Sequence, residues 1–385
     1  MKILVLGGDG FCGWPTALRL IANGHSVCIA DNLSRRQIDH ELETDSLTPI
    51  ADIIDRIHTA RKRFNNNDFS FVSLNIAKKE ASARLRALLK DFDPDAIVHF
   101  AEQRAAPYSM IGNKERCYTV NNNINATHNI LSSMVEVKSK AHLIHLGTMG
   151  VYGYSKEFGA IPEGYLDITV KETDEDTSIL YPTNPGSIYH MTKSLDQILF
   201  QFYNKNWKLR ITDLHQGIVW GTQTRETMAA RALLNRFDYD GMYGTVLNRF
   251  IVQAAVGFPL TVYGTGGQRR AFIHISDTAE CVKLAVENPP ENVDRVRIFN
   301  QVSEVRGVME LAEILRDKYG AEINCVDNPR KELAENELEV SNAGLRSLGF
   351  DPILLNDELI NDVKFIAEEC KKRVDFDKIL TSPKW

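Results

Sequence analysis

Short β-rich apolar runs alternate with longer stretches of helical spacing through the first third of the chain. Ile3 to Leu6, Val27 to Ala30, Phe69 to Leu74, Ala96 to Phe100 and His142 to Leu146 read as strands. Each is a near-continuous apolar run, the kind buried on both faces of a sheet. Between them Gly13 to Asn23, Ile50 to Phe64, Ser82 to Phe92 and Val120 to Val137 carry helical periodicity, and every crossover has the length that a right-handed βαβ unit requires. The pattern predicts an α/β protein with a Rossmann-like, doubly wound parallel sheet. Residues 151 to 180, with Gly153, Gly159, Pro162, Gly164 and a run of acids after Lys171, lack clear periodicity and are expected to be loops over the C-terminal edge of the sheet. Beyond Leu214 the spacing is less regular, broken at Gly257-Phe-Pro259 and Gly264-Thr-Gly-Gly267, with helices resuming from Val308 and Asn356. This reading divides the chain into a dinucleotide-binding domain, 1–214, and a smaller interleaved lobe, 215–385, with segments that return to the sheet.

Composition narrows the picture by exclusion. The 385 residues are 43% apolar and 25% charged, enough for a large core and unlike a disordered or fibrous chain. The net charge of -6 argues against general attraction to nucleic acid or to an anionic membrane, so an anionic ligand has to be met locally. No apolar run approaches the roughly 18 residues of a spanning helix, and the N-terminal run is too short for a signal peptide. Cysteines at 12, 28, 117, 281, 325 and 370 contain no CxxC pair, which suits reduced thiols. A cytoplasmic protein without a metal site is expected.

Two local patterns carry chemistry. Gly7-Gly-Asp-Gly10-Phe11-Cys12-Gly13 follows the first strand and opens the first helix. Glycines there let the backbone turn tightly against a pyrophosphate, which the helix N-terminus stabilises. Asp31 ends the second strand, where an acid accepts the ribose hydroxyls of NAD and repels the extra phosphate of NADP; Arg35 and Arg36 beside it blur that preference. Asn75 after the third strand, and Phe100-Ala101-Glu102-Gln103 after the fourth, would line the adenine and ribose. The second pattern is Tyr189-His-Met-Thr-Lys193, whose i, i+4 spacing puts Tyr and Lys on one helix face. A phenol with a reference pKa of about 10 is a poor base at neutral pH. A neighbouring ammonium and a cationic nicotinamide favour the phenolate, which can then take a proton from a substrate hydroxyl. Thr148, at the end of the fifth strand, is placed to hydrogen-bond the same oxygen.

These residues resemble the extended short-chain dehydrogenase/reductase family of nucleotide-sugar epimerases and dehydratases. The similarity runs almost end to end, through GGDGFCGW at 7–14, DNLSRR at 31–36, HFAEQRAAPYSM at 99–110, GTMG at 147–150, SIYHMTKS at 187–194 and NRFDYDGMYGTVLNRF at 235–250. More narrowly, it resembles a branch whose members join UDP-glucose and sulfite. The resemblance implies a tightly bound, recycled NAD, a homodimer, and catalytic roles for Thr148, Tyr189 and Lys193. It further implies a route with oxidation at sugar C4, loss of water across C5 and C6, sulfite addition at C6 and re-reduction at C4. Asn32, Ile76 and Asn123 join the coenzyme side of the site, with Tyr189, Lys193 and Gln216.

Where related 4,6-dehydratases carry Thr-Asp-Glu, this chain has Thr148-Met149-Gly150, without the usual proton carriers. His190 is the candidate for proton transfer at C5 or O6, with packing beneath the sugar as its alternative; Met149 fits an apolar floor near C6. Arg104 fits the sulfite anion, or else a structural ion pair with Glu102 or Glu115. Asn248, Arg249, Gln268, Arg270 and Arg330 match the family's nucleotide-binding segments in the UDP lobe. Gln216 fits a contact to sugar or nicotinamide, or a buried structural amide. Rival functions on the same scaffold are a UDP-glucose 4-epimerase, a 4,6-dehydratase and, outside enzymes, an NAD-binding regulator.

Overall fold

A computed structural model describes residues 1–153, 159–291, 293–330 and 333–379. In chain order the first half contains β1 (Lys2–Leu6), α1 (Gly13–Ala22), β2 (Ser26–Asp31), α2 (Ser34–Glu41), α3 (Ile53–Phe64), β3 (Phe69–Ser73), α4 (Ser82–Phe92), β4 (Ala96–His99), α5 (Ala106–Met110), α6 (Asn113–Glu136) and β5 (His142–Thr148). It continues with β6 (Tyr165–Val170), β7 (Glu175–Leu180), α7 (Ile188–Trp207), β8 (Ile211–Gln216), β9 (Ile218–Trp220), α8 (Val246–Val256), β10 (Leu260–Tyr263), β11 (Arg269–His274) and α9 (Ile275–Glu287). Then follow β12 (Arg297–Gln301), β13 (Glu304–Gly307), α10 (Val308–Tyr319) and β14 (Ile323–Val326).

Seven strands form one parallel sheet in the order β12-β8-β5-β4-β1-β2-β3. Alternation within each strand explains why both faces are covered. Ile3 and Val5 of β1, with Val27 and Ile29 of β2, face a core shared with α1, α3 and α9. Leu4 and Leu6, with Cys28 and Ala30, face the opposite core under α4, α6 and α7. The first core runs on into α8 and α10, so the C-terminal half shares its packing with the sheet. That half adds a three-stranded sheet, β13-β11-β9, and a parallel pair, β10-β14, and it supplies β12 to the main sheet.

One expectation fails. Within 151–180 the chain forms an antiparallel hairpin, β6 with β7, turning at Asp174 with φ 52°, rather than loops throughout; residues 154–158 of that stretch lie outside the described part. In β6, Leu166, Ile168 and Val170 alternate with Asp167 and Thr169, but the run is short, and its partner β7 is polar and exposed through Ser178, so the pair gives a weak signal. Its anchor is Tyr165, whose hydroxyl donates to the Val296 carbonyl at 2.7 Å. Helix starts shift by a few residues: α3 begins at Ile53, after Asp52 caps it by accepting from the Ile54 amide at 2.8 Å.

Candidate active site

The C-terminal ends of β1, β2, β3, β4, β5 and β8 open on one cavity of about 420 Å³, closed on its far side by segments 241–249, 270–271 and 329–330. This is the edge at which doubly wound sheets bind ligands. Gly7 sits at φ 81°, and a Cβ there would lie 2.6 Å from the Ala101 amide; one on Gly13 would lie 2.2 Å from the Gly7 carbonyl. Only glycine permits this loop. Asp31 accepts from the Asp9 amide at 2.9 Å and the Leu33 amide at 2.7 Å, and burial, with Asp9 nearby, pushes its carboxyl up to about 6. An acceptor held this way at the end of β2 suits ribose hydroxyls.

Gly7, Gly10, Phe11, Cys12, Gly13, Asp31, Asn32, Arg35, Asn75, Ile76, Phe100, Ala101 and Glu102 all line the cavity, as do Arg104, Thr148, Met149, Tyr189, His190, Lys193, Gln216, Arg249, Arg270 and Arg330. Four residues expected in the site lie outside its wall. Arg36 is bidentate on Asp9 at 2.7 and 2.8 Å, an acid it shares with the buried Arg56. Asn123 instead binds the Gln103 backbone, at 2.8 and 3.0 Å, and Thr192 at 3.0 Å, tying the β4 loop to α7. Asn248 accepts from the Gly221 amide at 3.2 Å, and Gln268 is buried behind the lining.

Beneath Tyr189 and Lys193 lies a charged cluster that the spacing of motifs did not reveal. Lys193 Nζ donates to the Leu146 carbonyl at 2.7 Å and meets Glu102 at 2.7 Å. His145 bridges Glu102 at 3.1 Å and Asp213 at 2.8 Å, and Asp213 also meets His215, which contacts the Tyr152 hydroxyl at 2.6 Å. Burial works against each charge, but the partners prevail: Lys193 holds Glu102 well below the carboxylate range, and Asp213 with Glu102 raises His145 to about 9. His99, Glu102 and His145 offer ligand atoms close enough together for a metal ion, and the Lys193 ammonium contacts two of them, Glu102 at 2.7 Å and His145 at 3.1 Å. A sequence signal existed, since histidines stand at or near the ends of three neighbouring strands, with His99 paired to His145 and His145 to Asp213 in register.

The reactive side chains are held by their own elements. Ser187 caps α7 by accepting from the His190 amide at 3.2 Å. Thr148 accepts from the Gly150 amide at 3.1 Å as β5 ends. The His190 ring packs on Gly150 so closely that a Cβ there would lie 2.3 Å from it. Burial lowers His190 to about 4, helped by Arg330 and Arg270, so it stands neutral and able to accept a proton. Tyr189 departs from expectation: burial outweighs Lys193 and raises the phenol to about 12. Arg104 pairs with neither Glu102 nor Glu115; its partner is Asp238, at 2.6 Å. Gln216 donates to Thr278 at 2.9 Å while lining the cavity.

A family model, the NAD dependent epimerase/dehydratase family, matches residues 3–300. The chloroplastic UDP-sulfoquinovose synthase of Spinacia oleracea is 42% identical over 389 residues, which cover all of this chain and 79% of the relative. The UDP-sulfoquinovose synthase of Sulfolobus acidocaldarius is 38% identical over 395 residues, covering all of this chain and 98% of that one. Among solved structures, a UDP-glucose 4-epimerase of Thermotoga maritima with UDP-glucose superposes with a TM-score of 0.70 at 20% identity, covering 95% of this chain and 98% of that one. A UDP-glucuronic acid 4-epimerase of Bacillus cereus with UDP-glucuronic acid and NAD gives 0.69 at 23% identity, covering 95% and 99%.

Proposed function

The chain belongs to the NAD dependent epimerase/dehydratase family, and on that premise we propose that it converts UDP-glucose and sulfite to UDP-6-sulfoquinovose with release of water. The observation that carries this reading is likeness over the whole chain, at 42% and 38% identity, to two proteins named for that activity. No helix among the described residues is long and apolar enough to cross a membrane, and we assign the protein to the cytoplasm, where its free thiols would stay reduced.

Residues 1–214 form the coenzyme lobe in this reading and 215–385 mainly the nucleotide-sugar lobe. The glycine cradle and Asp31 fit NAD, with Asn32, Asn75, Ile76, Phe100 and Ala101 along its adenosine half. Bound there, NAD supplies reversible oxidation at sugar C4, and it is kept through the cycle with no net redox change. Tyr189 takes the proton of the 4-hydroxyl and later returns it, Thr148 hydrogen-bonds the same oxygen, and Lys193 keeps a positive charge beside the phenol. A ketone at C4 acidifies the C5 hydrogen, so neutral His190 can take that proton and pass it to the departing 6-hydroxyl. Sulfite, entering as bisulfite, then adds at the unsaturated C6, against the apolar floor made by Met149, with Arg104 holding the anion; the proton bisulfite brings goes to C5, by way of His190, and C4 is re-reduced. Arg249, Arg270 and Arg330 meet the UDP diphosphate.

The protein acts as a homodimer in this proposal. Leu195, Ile198 and Phe202 lie on one exposed face of α7, at 38%, 60% and 55% exposure, and a second copy would cover them. The test of the reaction is direct: incubation with UDP-glucose and sulfite should give a sulfonated UDP-sugar by mass spectrometry. Sulfite-independent formation of UDP-galactose or of a 4-keto-6-deoxy sugar would reject it in favour of an epimerase or dehydratase. Retained NAD without turnover would point to a regulator.

A further inference from the structure

We propose that Asp238 is the positioning residue that aims Arg104 at sulfite, through a buried ion cluster of which Arg104 is the member that surfaces in the cavity. The inference rests on the reaction proposed above. Asp238 is only 2% exposed. Its Oδ2 accepts from Arg104 at 2.6 Å, and its Oδ1 accepts from Arg236 at 3.0 Å and from Arg35 at 3.2 Å. Asp39 takes the other ends of Arg35 and Arg236. Three guanidiniums therefore share the two carboxylates of Asp238 and Asp39, with the buried Asp240 alongside. Asp240 spends its Oδ1 on the amides of Met242 and Tyr243.

Buried charge is costly unless it reaches water or a counter-ion. The side chains of the three arginines are unequally exposed: 2% for Arg236, 16% for Arg35 and 30% for Arg104. Arg104 is thus the one that reaches the cavity, which it lines 5.3 Å from the Phe11 ring of the glycine loop and 5.4 Å from the Tyr243 ring. Those aromatic rings limit how far the guanidinium can swing, and Asp238 fixes one arm of its fork. Arg104 also stands near enough to Tyr189 and Cys12 to act on both electrostatically, which puts its charge at the reacting end of the cavity. A small oxyanion that must be placed at the sugar's C6, against net repulsion from an acidic protein, finds there a charge-assisted donor that is already oriented.

The experiment uses the holoenzyme and measures sulfosugar formation while sulfite and UDP-glucose are varied in turn. Asp238→Asn should raise the sulfite KM by about tenfold, with the UDP-glucose KM and bound NAD within about twofold of wild type. Arg104→Gln should act alike, and the double variant should be no worse than Arg104→Gln alone, because the two residues act as a unit. Asp39→Asn, which removes an acid from the same cluster but not from Arg104, should leave the sulfite KM unchanged. If Asp238→Asn proves unstable, Asp238→Glu serves in its place and should retain most of the sulfite affinity that Arg104→Gln loses. An unchanged sulfite KM in Asp238→Asn, or an equal rise in Asp39→Asn, overturns the inference while the reaction stands. A wild-type enzyme that forms no sulfosugar overturns the reaction, and the inference with it.

Discussion

Lys193 Nζ lies 2.7 Å from Glu102 Oε2, with the two side chains 4% and 2% exposed. The ammonium beside Tyr189 therefore has its own buried counter-ion, and Glu102 raises its pKa against the opposing effect of burial. Lys193 is held charged and in one orientation by a residue contributed by the loop after β4.

Removing that counter-ion leaves a buried, unpaired ammonium. Glu102→Gln should destabilise the protein by about 3 kcal/mol in denaturant unfolding and lower kcat by about tenfold or more. A variant as stable and active as wild type would mean that Lys193 is compensated from elsewhere.

The phenol of Tyr189, raised to about 12 by burial despite Lys193, is almost fully protonated at neutral pH. Only its deprotonated form can act as base, so kcat/KM for UDP-glucose should climb with pH through the neutral range, and Lys193→Met should move that limb to higher pH. Tyr189→Phe should abolish turnover while UDP-glucose binding stays within a few-fold. Unaltered turnover in the phenylalanine variant would remove Tyr189 from the mechanism.

Gly150 has no room for a side chain, because its Cβ would lie 2.3 Å from Cδ2 and 2.4 Å from Nε2 of His190. Gly150→Ala must displace the ring, and a displacement of that order should reduce sulfosugar formation by about 100-fold while NAD is retained. Normal activity in the alanine variant would show that His190 packs there without moving protons.

Buried histidines set opposing limits on stability. His99 and His142 are lowered to about 4 and about 3, and His190 to about 4, chiefly by burial, so the stability they confer is present above the ordinary histidine value and lost as pH falls through those values. Asp31 and Asp277, raised to about 6 by burial, run the other way and blunt the acid side. His145, raised to about 9, confers stability below its unfolded pKa that is lost as pH rises through 9. Thermal unfolding as a function of pH should show a maximum near 6.5, where His titrates in an unfolded chain, and His145→Gln should flatten the alkaline side. An alkaline limb unchanged in that variant would assign it to another group.

The apolar face of α7 should set the oligomeric state. Ile198→Asp places a charge at its centre and should convert a dimer to a monomer in light scattering. Monomeric wild-type protein would end the dimer proposal.

Much of this was legible in the sequence because the signal is local. A strand buried on both faces, a glycine loop between strand and helix, and Tyr189 with Lys193 one helical turn apart are each specified within a few consecutive residues, and they recur in the structure at the edge where the strands end. The β6–β7 hairpin was passed over, since the alternation of Leu166, Ile168 and Val170 is confined to one short strand and its partner β7 is an exposed polar run. Nor were the partners of the charges. Arg104 was weighed against Glu102 and Glu115, its neighbours in sequence, yet it pairs with Asp238, 134 residues away; Arg36, Asn123, Asn248 and Gln268 carry suitable groups but spend or bury them outside the cavity. Periodicity and steric demand act along the chain and can be read from it. Which carboxylate meets which guanidinium depends on where distant loops are brought together by the packing of the whole, and the tertiary structure alone decides that.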